Sequence, residues 1–194
     1  MSEHAPNLRT KPTLESKSIS LKRRLCAWSK DDRHWLAALL KMAGFILGFY
    51  AMSLFPIWKA VISWCTAENA RISGALLVWV GEPCYVFGPS ISWGTGAITV
   101  LPECCSLEFA AIFCAAVLSC PASLYQKLSG VFFGTGIILS VNLFRIVTLY
   151  CIDVHSPALF AIAHEMVWPT VELLLVLVLL ISWMQWVLPA KNPA

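Results

Sequence analysis

From Leu107 onward the sequence is dominated by three apolar blocks: Leu107 to about Ala122, Val131 to about Ile152, and Ala158 to Leu188. Another runs from Trp35 to about Ile57. Blocks of this kind match a hydrocarbon core roughly 30 Å thick, which about 20 helical residues cross. They exceed what the buried face of a soluble helix needs. Charged residues make up 13% of the chain, against roughly 25% in soluble domains. The fold class is therefore an all-α membrane protein.

The net charge is +3, but the basic residues are not spread as a nucleic-acid surface would need. Lys22, Arg23, Arg24, Lys30 and Arg33 cluster ahead of the first apolar block, which holds that end of the chain in the cytoplasm. No nucleic-acid partner is expected. Residues 1–33 are polar and rich in Ser, Lys and Pro, and read as a disordered cytoplasmic tail. Residues 34–190 form the membrane domain. No small-residue cleavage site follows the first block, so it reads as a signal anchor. Residues 58–80 carry Lys59, Glu68 and Arg71 among apolar residues. They read as an interfacial amphipathic helix, with a fifth span as the alternative. Residues 81–101 contain Gly81, Pro83, Gly88, Pro89, Gly94 and Gly96 before Ile98-Thr99-Val100, a pattern of turns and a strand that predicts a small extramembrane hairpin.

The expected architecture is thus a bundle of about four spans, with both termini on one side. Lys127 and Lys191 then also fall on the cytoplasmic side. In that topology the start of the second span (Cys104-Cys105-Ser106), the outer half of the third (Asn142, Arg145) and the start of the fourth (His164, Glu165) reach one depth at the outer face. A thiol, a guanidinium and an imidazole from distant parts of the chain converge there.

Arg145 is the most informative residue, because a cation within an apolar run costs roughly 2.5–3.5 kcal/mol at mid-bilayer. It is a functional candidate, or a snorkelling or structural residue paired with Glu108 or Glu165. Asn142 shares its helix face and either orients the guanidinium or holds helices together. A thiol at a helix N-terminus near a cation is activated as a nucleophile. That points to Cys104, with Cys105 as its rival; the alternative for either is a buried structural cysteine. His164 is suited to general acid/base work, with His155 as the other available imidazole. The eight cysteines include no C-x-x-C and no zinc-type Cys/His spacing, so no metal site is expected. A Cys65–Cys84 bridge is possible if that segment meets an oxidising space.

The stretch Pro102-Glu103-Cys104-Cys105-Ser106-Leu107-Glu108 resembles the exosortase motif Glu-Ala-Cys-Ser-Gly-Leu-Arg, with Cys104 on the family cysteine and Leu107 on its leucine. Asn142-Leu143-Phe144-Arg145-Ile146 is similar to the family's Asn-x-x-Arg-Ile/Val, and Ala163-His164-Glu165 corresponds to its histidine. The resemblance to the exosortase/archaeosortase family covers roughly residues 35–188. Ser106 stands where the motif has glycine, and Glu108 where it has arginine. The resemblance implies a membrane-embedded cysteine transpeptidase that cleaves C-terminal sorting signals of exported proteins at the outer face of the cytoplasmic membrane. Such a signal comprises a short motif, an apolar helix and a basic tail. The implied catalytic residues are Cys104, Arg145 and His164, supported by Asn142, Glu108, Glu165 and Cys105, with no metal or organic cofactor. Substrate protein and membrane lipid are the implied partners. The competing readings are a non-enzymatic membrane assembly subunit and a membrane thiol oxidoreductase using Cys104-Cys105; a transporter lacks a midplane polar site.

Overall fold

The computed structural model describes residues 36–94 and 96–187. The chain divides into two units, Met1–Leu40 and Lys41–Ala194. Of the first, only 36–40 is described, as helix; the predicted basic tail and Lys191 lie outside the described residues. The second unit carries everything below.

The first apolar block ends in a sharp bend, close to its expected limit at about Ile57. Helix α1, Leu36–Met52, and helix α2, Pro56–Trp79, meet at a bend of 89°. The cause is local. Pro56 occupies the first turn of α2, where its missing N–H costs nothing. Phe55 before it is extended, at φ −90° and ψ 140°, as a residue preceding proline prefers. The segment expected as a separate helix over 58–80 is the body of α2. Its 24 residues extend about 36 Å.

Three antiparallel strands follow, β1 Tyr85–Phe87, β2 Ser90–Trp93 and β3 Gly96–Thr99, in sheet order 1-2-3. The predicted hairpin is therefore a meander of two hairpins. Gly88 turns the first at φ 56° and Gly94 the second at φ 44°, a region that glycine enters without steric cost. Tyr150 anchors the sheet, donating its hydroxyl to the Pro83 carbonyl at 3.1 Å and packing edge-on to Trp93 with ring centroids 4.7 Å apart.

A short 3-10 turn, Pro102–Cys105, leads into α3, Leu107–Ser119. With 13 residues, α3 is about 20 Å long, too short to cross a 30 Å core alone. The helical part of the expected second span is thus shorter than the apolar block from Leu107 to about Ala122. Pro121 ends that block, and the Lys127 ammonium donates to the free Leu118 carbonyl at 2.8 Å.

Helix α4, Leu124–His155, starts seven residues earlier than the apolar pattern implied. A capping box explains the early start: Ser123 and Gln126 satisfy each other's backbone donors. Helix α5, Pro157–Val187, is continuous but not uniform. It opens with a 3-10 turn, and Ala163–Val167 forms a π-type segment before regular α-helix resumes at Trp168. Pro169 lies just beyond that segment. It lacks the N–H that would bond the Glu165 carbonyl, and its ring crowds the turn before it. A widened turn is one way a helix absorbs such a residue. Thr170 Oγ1 donates to the neighbouring Met166 carbonyl at 2.7 Å.

Among the described residues, α4 and α5 are long and apolar enough to cross a membrane, and the bent α1–α2 pair makes a third candidate if it is one span. In lipid, apolar surface gains little by burial against protein, so close approach of the helices supplies the packing energy. The pair Gly130 and Gly134 on α4 provides it. A Cβ at Gly134 would collide with the Phe113 ring of α3, and one at Gly130 with the Trp183 indole of α5. The Trp183 indole N–H reaches the Gln126 carbonyl at 3.0 Å.

Candidate active site

The chain brings its polar residues together where the second half of α4 meets the first half of α5. Cys104 Sγ lies 3.4 Å from His164 Nε2, a contact between residues sixty positions apart. The imidazole is held by stacking on Phe160, with ring centroids 5.6 Å apart and planes 11° from parallel. Cys104 retains 6% of its surface and Cys105 none. The Cys105 thiol instead donates to the Leu101 carbonyl at 3.7 Å. Burial, followed by the neighbouring Cys65, Cys104 and Glu103, pushes the Cys105 thiol up to about 12, while Arg145 opposes this.

Arg145 is 3% exposed. Its Nη1 donates at 3.1 Å to Glu172 Oε2, and Glu172 is wholly buried. The other carboxylate oxygen, Oε1, accepts from Ser106 Oγ at 2.5 Å. Ser106 Oγ also lies 2.9 Å from Asn142 Oδ1. Asn142 Nδ2 donates to Asn69 Oδ1 at 3.2 Å, and Asn69 Nδ2 to the Cys65 carbonyl at 2.9 Å. One polar chain thus links α2, α4, α5 and the turn that carries Cys104. The Arg145 Nε–H is buried and has no partner among the described residues, a donor left available in an otherwise paired cluster.

Ser106 has φ 51°, a conformation that costs a non-glycine residue roughly 1–2 kcal/mol. The motif glycine that it replaces would sit there freely. Here a serine takes that position and bonds across the site.

Of the residues singled out from sequence, Cys104, His164, Arg145, Asn142 and Cys105 belong to this cluster. Glu108 and Glu165 do not: both are exposed, and neither pairs with Arg145. The partner of Arg145 is Glu172, which the sequence reading passed over. Its signal was available, because an acid within the apolar run VELLLVLVLL meets the same criterion that singled out Arg145. Asn69 has no comparable signal in the mixed composition of α2. His155 is exposed at the end of α4, its Nδ1 3.0 Å from the Cys151 carbonyl, and is not part of the cluster. Cys65 and Cys84 are free thiols, with Cys84 Sγ donating to the Gly74 carbonyl at 3.6 Å. No group of His, Cys, Asp and Glu suited to a metal ion occurs among the described residues.

A helical multi-pass membrane protein with a thiol–imidazole contact and a buried arginine network is the class that this fold and site define. The family described as Transmembrane exosortase (Exosortase_EpsH) matches residues 33–184, more than three quarters of the chain, and the chain belongs to it. Comparison with curated proteins and with solved structures yields no match.

Proposed function

We propose that this protein is a cysteine transpeptidase that cleaves C-terminal sorting signals of exported proteins. The 3.4 Å contact between Cys104 Sγ and His164 Nε2 carries this reading, because a thiol within reach of a base is the arrangement that covalent catalysis by cysteine requires. Cys104 is the nucleophile in preference to Cys105, which is fully buried and whose thiol is held protonated well above neutral pH. The same burial counts against a redox role for the adjacent pair.

The Cys104 thiolate attacks the scissile carbonyl carbon, forming a C–S bond. The oxyanion that develops needs a donor, and the unpartnered Arg145 Nε–H supplies one. His164 delivers its proton to the leaving amine as the C–N bond breaks. The incoming nucleophile, an acceptor group or water, then gives its proton to His164 and attacks the thioester, releasing Cys104.

The position of the site along α4 suits an outer-face reaction. Asn142 and Arg145 lie 18 and 21 residues beyond the start of α4 at Leu124, about 27 and 32 Å. With the Lys127 end at the cytoplasmic surface, that distance reaches the far side of a 30 Å core. In this reading the α3 segment with its flanking turns returns the chain between the bent α1–α2 pair and α4, so that four passes leave both termini on the cytoplasmic side of the cytoplasmic membrane. A cavity of about 550 Å³ beside the site, lined by Tyr50, Trp58, Thr66, Leu101, Glu103 and Leu107, offers space for the extended segment that precedes the substrate's apolar helix.

The test is cellular processing of a tagged protein bearing a candidate sorting signal from the same genome. Cleavage by wild type and by Cys105→Ala, with loss in Cys104→Ala, Arg145→Ala and His164→Ala, is the expected pattern. Equal processing by all of these inserted, stable variants refutes the reading and favours an assembly subunit.

A further inference from the structure

Glu172 joins three separate elements of the site. On α5 itself, it has no exposed surface. One of its oxygens holds Arg145 of α4, and the other holds Ser106, two residues after Cys104. The direction of these bonds is set from α2. Asn69 Nδ2 is committed to the Cys65 carbonyl, so Asn69 presents Oδ1 to Asn142. Asn142 must answer with Nδ2 and therefore turns its own Oδ1 to Ser106, since the two ends of an amide are not interchangeable. The Ser106 hydroxyl has one hydrogen to give. Its contact with the Glu172 carboxylate is the shorter of the two, 2.5 against 2.9 Å, and charge assistance makes it the stronger.

We infer that Glu172 is a positioning residue: its carboxylate clamps the Arg145 guanidinium to the turn carrying Cys104, keeping cation and thiol in one fixed relation. Because this role serves the reaction proposed above, it rests on that reading. Without Glu172 the guanidinium is a buried cation with no counter-charge, and it swings out of the site to find one. The charged and titratable groups around the Cys104–Cys105 turn are His164 and Glu172 on α5, Arg145 on α4, Cys65 on α2 and Glu103 on the turn itself, with Tyr150, Cys151 and Cys84 in the same packed cluster.

The test needs no sorting substrate. The full chain in native membranes is treated with iodoacetamide from about pH 6 to pH 10, and modification at each cysteine is followed by peptide mass spectrometry. Cys105 serves as an internal gauge, because it stays unmodified while the site is closed. Arg145→Gln is expected to raise the midpoint of the Cys104 profile by about one pH unit, or tenfold in rate at neutral pH. Glu172→Gln is expected to raise it equally, the double variant to be no worse than either single one, and Glu172→Asp to stay near wild type.

A Glu172→Gln midpoint that is unchanged or lowered with Cys105 closed overturns the clamp, as does an additive double variant or an Arg145→Gln profile that does not move. If Glu172→Gln opens the site and exposes Cys105, Glu172→Asp decides: a wild-type midpoint supports the clamp and an Arg145→Gln-like midpoint overturns it. Failure of the transpeptidase reading appears separately, as wild-type protein that processes no reporter.

Discussion

Replacing Ser106 sets two opposed effects against each other at one residue. Ser106→Ala removes the hydroxyl bound to Glu172 and keeps a Cβ at φ 51°. A hydrogen bond to a charged group contributes about 1.5–3 kcal/mol, so the alanine variant should lose about 2 kcal/mol with its strain unrelieved. Ser106→Gly loses the same bond but recovers about 1–2 kcal/mol of left-handed strain, less about 0.5–1 kcal/mol for the freer unfolded chain. Glycine should therefore be the more stable variant, by about 0.5–1 kcal/mol. For a chain of this size each kcal/mol shifts Tm by about 2–4 °C. Alanine should melt about 4–8 °C below wild type, and glycine about 1–4 °C above alanine. Thermal unfolding of the purified chain in one detergent, followed by circular dichroism, measures both. An alanine variant at the wild-type Tm would mean that the hydroxyl holds nothing. A glycine variant about 0.5–1 kcal/mol less stable than the alanine one would mean that φ at Ser106 carries no strain.

Two further changes test the packing that carries the site. Gly134→Ala places a methyl group against the Phe113 ring, which is 1% exposed, and should destabilise the α3–α4 contact by about 1–3 kcal/mol. Thermal unfolding checks this, and Phe113→Leu in the same chain should recover part of the loss if the ring is the obstacle. Pro169→Ala restores an N–H for the Glu165 carbonyl and removes a residue that costs about 3 kcal/mol within a helix, so Tm should rise. The turn before it is then free to tighten to regular α-helix, turning His164 away from Cys104 and lowering reporter processing. A stabilised variant with full processing would show that the widened turn does not depend on the proline.

The apolar blocks announce α4 and α5 because lipid demands long runs, and long runs survive errors of a few residues at either end. The start of α4 needed a side-chain reading instead: Ser123 and Gln126 form a capping box ahead of the apolar pattern. The break at Pro56 coincides within a few residues with the change from the apolar block to the mixed composition of residues 58–80. Short α3 was overextended because composition does not record where a helix stops, and Cys120 is already extended, at φ −69° and ψ 147°.

The site was legible where one residue is costly enough to need a reason, as with Arg145, or where a motif marks it, as with Cys104 and His164. The partner of Arg145 was harder to place because it depends on helix phase. His164 and Glu172 are eight residues apart, which in a regular α-helix leaves them about 80° out of line after two turns, at 3.6 residues per turn. The π-type segment Ala163–Val167 inserts about one residue. The effective separation becomes about seven residues, close to two full turns, so both side chains face the same cluster. Glu165, named with Glu108 as a possible partner for Arg145, adjoins His164 in sequence. Neighbours on a helix point about 100° apart, however, and that rotation leaves Glu165 exposed. The proline four residues after Glu165 is thus part of the reason that the acid reaching Arg145 is Glu172.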